Sequence, residues 1–210
     1  MSPVTDASST TRWWWLRHAP VAAPHDGGFA PLEAEADLSE GVAIARLAGV
    51  LPAQALWVES PARRSAMTGA ALRAACGGED APVLDEPDFV EQDFGDWHGQ
   101  TYKAVYGGLS KDELASPALL KPPGGEAFAE VLPRVAKAIA RLSEAHAGRD
   151  IIAVAHAGTI RAALAAAMEL SPRQAISFVI DLLSVTRLNR HARGGNTASW
   201  SVVTVNSEVR

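Results

Sequence analysis

The stretch Trp13-Trp14-Trp15-Leu16-Arg17-His18 constrains the fold more than any other part of the chain. Four large apolar residues in succession have no polar face to turn to water. They predict a strand buried on both faces, as in a parallel sheet covered by helices. The run stops at a cation beside an imidazole, and Pro20 cannot continue a ladder. In open α/β sheets the carboxyl ends of the strands are where ligands bind.

Two more apolar runs end in the same way. Ala55-Leu56-Trp57-Val58 leads into Glu59-Ser60-Pro61-Ala62-Arg63-Arg64, and Asp150-Ile-Ile-Ala-Val-Ala155 ends at His156. Between them lie helical patterns. One starts near Leu38-Ser39-Glu40 and stops before Pro52, another spans 62–75, and a third runs from Phe128 to Leu142 with Pro133 inside it. A fourth covers 159–169. Val83-Leu84 is a further short strand. Residues 102–125 form a helical excursion that returns through Pro122-Pro123-Gly124-Gly125. Phe178–Leu188 and Ser199–Val205 read as strands joined by a turn at Arg193-Gly194-Gly195-Asn196, antiparallel to each other at one edge. The alternation predicts an α/β three-layer sandwich with a mostly parallel central sheet flanked by helices.

The polar residues 2–11 lack the basic and apolar regions of a secretory signal, so 1–11 is expected to be a flexible tail before a single domain over 12–210. No apolar run is long enough to cross a bilayer, which points to the cytoplasm. The net charge of −5 gives no general attraction to nucleic acid or to an anionic membrane. The single cysteine, Cys76, excludes an internal disulfide and a cysteine-based metal site.

In a parallel sheet the three polar strand ends share one edge. Arg17, one of Arg63 and Arg64, His18 and His156 can therefore converge. Guanidiniums present a planar fork of donors that fits phosphate oxygens. The chain has no Walker loop and no GxGxxG turn. Its six histidines lack HExxH spacing, and no acid cluster supports a divalent ion. Phosphate chemistry with no metal and no cofactor is the better fit.

Five segments in register resemble the histidine phosphatase (phosphoglycerate mutase-like) superfamily. They are Leu16-Arg17-His18-Ala19, then Ser60-Pro61 with Arg64 and Thr68, then Glu91 with Phe94-Gly95, Trp97 and Gly99. Pro123-Gly124-Gly125-Glu126 and Val154-Ala155-His156-Ala157-Gly158 with Ile160-Arg161 complete the set. The resemblance implies the phosphoglycerate mutase-like fold. It implies that His18 attacks phosphorus, that Arg17, Arg64 and His156 bind the phosphoryl oxygens, and that Glu91 exchanges the leaving-group proton. Asp93 and Asp96 share the Glu91 loop as alternative acids. Ala19 and Ala157 stand where the family pattern has glycine. The implied activity is hydrolysis of a small phosphorylated metabolite, with α-ribazole phosphate as one candidate. A phosphoglycerate mutase is the enzymatic alternative, and an inactive module binding phosphate or phosphoprotein is the alternative of another class. The partners expected are the phosphorylated substrate and at most a second copy of the chain.

Overall fold

The computed structural model describes residues 9–22, 27–193 and 197–209. Strand β1, Thr10–Arg17, lies inside the sheet and pairs in parallel with β4, Asp150–Ala155, from Arg12 opposite Asp150 to Arg17 opposite Ala155. Strand β4 pairs in parallel with β2, Leu56–Glu59, and β2 with β3, Val83–Asp85. On the other side β1 runs antiparallel to β5, Val185–Arg193, which pairs antiparallel with β6, Thr197–Ser207. The sheet order is β3-β2-β4-β1-β5-β6.

Alternation along β1 assigns its side chains to two cores. Trp13 and Trp15 face the long amphipathic helix α5, Phe128–Ala145, and α6, Ala157–Met168. Leu16 faces the layer of α1, Gly41–Ala48, and α2, Arg63–Ala75. Trp13 and Trp15 stack at 5.0 Å, and the Phe89 ring meets both edge-on. All three are fully buried. Each such side chain contributes roughly 1.5–3 kcal/mol of apolar burial. The Trp13 indole N–H donates to Ser143 Oγ on α5 at 3.0 Å, which satisfies its polar atom. The three-layer sandwich read from the sequence is the observed architecture.

The excursion over 102–125 holds two short helices, α3, Tyr102–Gly107, and α4, Lys111–Ala115. Pro133 lies inside α5, so that helix forgoes one backbone bond there. Ser171 caps the short α7, Pro172–Ala175.

Three boundaries need correction. The expected tail ends early, because Thr10 and Thr11 already belong to β1 and Thr11 is buried. The run Phe178–Leu188 is not one strand: β5 starts at Val185, and 178–184 is a turning segment with Leu183 at φ 57°. Its backbone carbonyls serve other side chains, described below. Helix α6 starts at Ala157, directly after His156, two residues earlier than periodicity suggested. The expected turn over 194–196, most of the tail and His25 lie outside the described residues. Among the described residues, no helix is long and apolar enough to cross a membrane.

Candidate active site

Parallel register delivers the three strand ends to one place. The His18 N–H donates to Ala155 O at 3.0 Å and the Ser60 N–H to Val154 O at 3.1 Å, so the ends of β1 and β2 are tied to β4 between them. The His18 and His156 rings sit 5.1 Å apart. Helices α2 and α6 begin at this edge, and their N-terminal dipoles favour an anion there.

His18 is 5% exposed. Its Nδ1 lies 2.6 Å from its neighbour's carbonyl, Ala19 O. A carbonyl can only accept, so Nδ1 carries the proton and Nε2 keeps its lone pair. Arg64 Nε donates to that lone pair at 3.2 Å. Burial, then Arg64, push the imidazole down from 6.5 to about 3; Ala19 O opposes them, and Arg17 adds a weaker lowering. The ring is therefore neutral at ordinary pH and nucleophilic at Nε2.

The structure separates the two adjacent arginines. Arg64 is 3% exposed and also donates to Pro31 O at 2.8 Å. Arg63 is on the surface, paired with Glu35. Arg17 donates from Nη1 to Ile180 O at 2.6 Å, while its Nε is buried without a partner. His156 is fully buried; Ser60 Oγ and Ser65 Oγ lie 2.8 and 3.3 Å from its Nε2, and its Nδ1 has no partner. Burial, then His18 and the arginines, hold His156 well below the ordinary histidine range. Two orphaned buried nitrogens at one point are costly unless a ligand takes them up.

The carboxyl group of Glu91 is fixed by backbone donors. Gly158 N–H reaches its two oxygens at 3.0 and 3.3 Å, and Gln92 N–H reaches Oε1 at 3.0 Å. The loop behind it is clamped by Arg134 of α5, which donates to Asp88 O, Val90 O and Glu91 O and pairs with Glu126. Of the alternative acids, Asp93 Oδ1 takes the Gly95 N–H, and neither it nor Asp96 lines the cavity described next.

A cavity of about 400 Å³ opens beside Arg17 and Glu91, lined also by Ala157 and Arg161 and walled by Phe29, Phe94, Trp97, Tyr102 and Tyr106, while His18, Arg64 and His156 are not among its lining residues. Ala157 takes its place at the first turn of α6 without closing the cavity. Ala19 is fully buried and gives its N–H to Thr68 Oγ1 at 3.0 Å, so that N–H is engaged within the protein. Among the described residues no group of three or more His, Cys, Asp or Glu could hold a metal ion.

Sequence reasoning assigned no role to Ser60, Ser65, Thr68, Arg134 or Arg161. Ser60, Thr68 and Arg161 stood inside the matched segments, and that was their only signal. Arg134 carried none, because its contacts to 88–91 are made across more than 40 residues of chain.

An α/β protein that gathers two neutral imidazoles and unpaired guanidiniums at one sheet edge, beside a fixed carboxyl group, is built to hold and transform a phosphoryl group. The chain belongs to the histidine phosphatase superfamily (branch 1), whose family model matches residues 14–203. The bifunctional protein Rv2228c of Mycobacterium tuberculosis is 29% identical over 145 residues, covering 67% of this chain and 38% of that protein. The chain thus spans well under half the length of the curated relatives it matches. Among solved structures, mycobacterial hydrolase 2 superposes with a TM-score of 0.82 at 26% identity, covering 96% of this chain and 93% of the other. The mycobacterial glucosyl-3-phosphoglycerate phosphatase Rv2419c does so with 0.80 at 25%, covering 94% and 99%.

Proposed function

We propose that this chain is a metal-independent phosphomonoesterase that works through a phosphohistidine at His18 Nε2. The single observation that carries this reading is the hydrogen bond from Nδ1 to Ala19 O, which leaves the opposite nitrogen unprotonated and facing Arg64.

In the first half-reaction the Nε2 lone pair forms a bond to phosphorus and the P–O ester bond breaks. The leaving alkoxide takes its proton from the Glu91 carboxyl group. Arg64 exchanges its contact with Nε2 for a phosphoryl oxygen as the lone pair is used. Arg17 Nε and His156, with its proton on Nδ1, supply the other donors, and these charges and dipoles are in place before the reaction. In the second half-reaction Glu91 takes a proton from water, the water oxygen bonds to phosphorus, and the P–N pair returns to Nε2. Small phosphorylated metabolites, α-ribazole phosphate and a glucosylated phosphoglycerate among them, are the class to screen.

The test is hydrolysis of p-nitrophenyl phosphate with excess chelator near pH 6, about the second pKa of a phosphate monoester. The expected result is turnover that chelator leaves intact and His18→Ala abolishes. Loss of turnover with chelator contradicts the metal-free route. Phosphate binding with no turnover favours the binding module, and phosphate transfer between phosphoglycerate positions favours the mutase.

A further inference from the structure

Several arginines of the described chain are matched by acids: Arg12 by Asp150, Arg73 by Glu59, Arg134 by Glu126 and Arg141 by Glu86. Arg17, Arg64 and Arg161 are not; no described carboxylate lies within ion-pair distance of any of them. Two of these guanidiniums have work in the phosphoryl chemistry above. The third does not.

Arg161 follows Ala157 by one helical turn, so both residues look into the same cavity. Its Nε donates to Phe178 O at 2.8 Å, which fixes the plane of the guanidinium. Its two terminal nitrogens make no hydrogen bond to any described residue. Burial lowers its pKa, with Glu91 opposing, as for a cation partly withdrawn from water. Around it stand the rings of Tyr102 and Tyr106, stacked at 6.0 Å. A desolvated cation with a free, preoriented fork is unfavourable in an empty protein and favourable once an anion arrives.

We propose that Arg161 binds a carboxylate on the leaving alcohol, so that the preferred substrate is a phosphomonoester of a carboxylic acid. The free edge of a guanidinium whose Nε is already bonded matches the two oxygens of a carboxylate. Charge matching agrees. Arg17 and Arg64 answer the charge of the phosphoryl group, and Arg161 supplies a further cation for the charge of the carboxylate. Tyr102 and Tyr106 leave apolar ring faces for the carbon frame between the two anions. The inference rests on the phosphatase reading and specifies its substrate class.

The experiment compares 4-carboxyphenyl phosphate with 4-carbamoylphenyl phosphate, which match in shape and differ by one charge, on the full chain and on Arg161→Gln and Arg161→Lys. The carboxylate substrate is expected to have at least a tenfold higher kcat/KM on the wild type, about one charge-assisted hydrogen-bond pair. Arg161→Gln is expected to remove that preference, read as the ratio of the two kcat/KM values, and Arg161→Lys to restore part of it. An equal preference in wild type and Arg161→Gln overturns the proposal, as does an equal fall on both substrates, which marks a structural role. Calorimetric binding of the matching carboxy- and carbamoyl-benzylphosphonates reads the same preference without turnover. If neither phosphate ester is hydrolysed but the phosphonates are discriminated, the hydrolytic reading fails and the carboxylate site stands.

Discussion

Gly158 and Glu91 are fitted to each other across 67 residues of chain: the glycine N–H holds both carboxyl oxygens, and a Cβ on Gly158 would collide with Oε1. Gly158→Ala is therefore expected to move the acid while leaving the helix intact, since alanine suits a helix better than glycine. Activity on alkyl phosphates should fall by about 10²-fold or more, the range for a displaced general acid. Thermal stability should stay within about 1 kcal/mol of wild type. Unchanged alkyl-phosphate activity would show that Glu91 has no proton to deliver.

Glu91→Gln should discriminate between leaving groups. Nitrophenolate departs without a proton and an alkoxide does not, so the variant should lose far more activity on an alkyl phosphate than on p-nitrophenyl phosphate. Equal losses on the two substrates would place Glu91 in binding instead. Arg134 holds the loop of Glu91 through three carbonyls, and Arg134→Met should show the same bias in weaker form.

The two adjacent arginines should behave as opposites. Arg64→Lys loses the fork that reaches Pro31 O and His18, and kcat should fall by about 10²–10³. Arg63→Ala removes only a surface pair with Glu35, and stability should change by about 0.5 kcal/mol or less. Comparable kinetic losses in both variants would refute the assignment.

Much of this site could be read from the order of residues, for a physical reason. A buried strand that ends in a polar residue marks the sheet edge, and the parallel order then brings Arg17, His18, Arg64 and His156 together. The strand face could also be read, because Trp13 and Trp15 must share a side. Long-range fits could not. Nothing local says that Gly158 seats Glu91 or that Arg134 clamps residues 88–91. The run Phe178–Leu188 was misread because its apolar pattern suits a strand. There the backbone instead turns at Leu183, so that Phe178 O and Ile180 O can meet Arg161 and Arg17.

Acid should destabilise the fold through its imidazoles. His18 titrates near 3 in the folded chain against 6.5 unexposed to its partners, so the unfolded chain binds the proton first. Stability from this site is complete above about pH 6.5 and is lost as pH falls toward 3. Between pH 7 and 4.5 the loss is about 2–3 kcal/mol, at about 1.4 kcal/mol per pH unit. Denaturant titrations should show that extra loss in wild type relative to His18→Asn, since the carboxylates are common to both. Parallel pH curves for the two proteins would contradict a neutral buried His18.

The most direct test of the central claim is rapid-quench labelling with a ³²P-phosphomonoester. The account predicts a label that appears on the protein before steady state, survives alkali, is lost in acid and maps to the peptide containing His18. Turnover without labelled protein at any quench time, or a label on another residue, would contradict it.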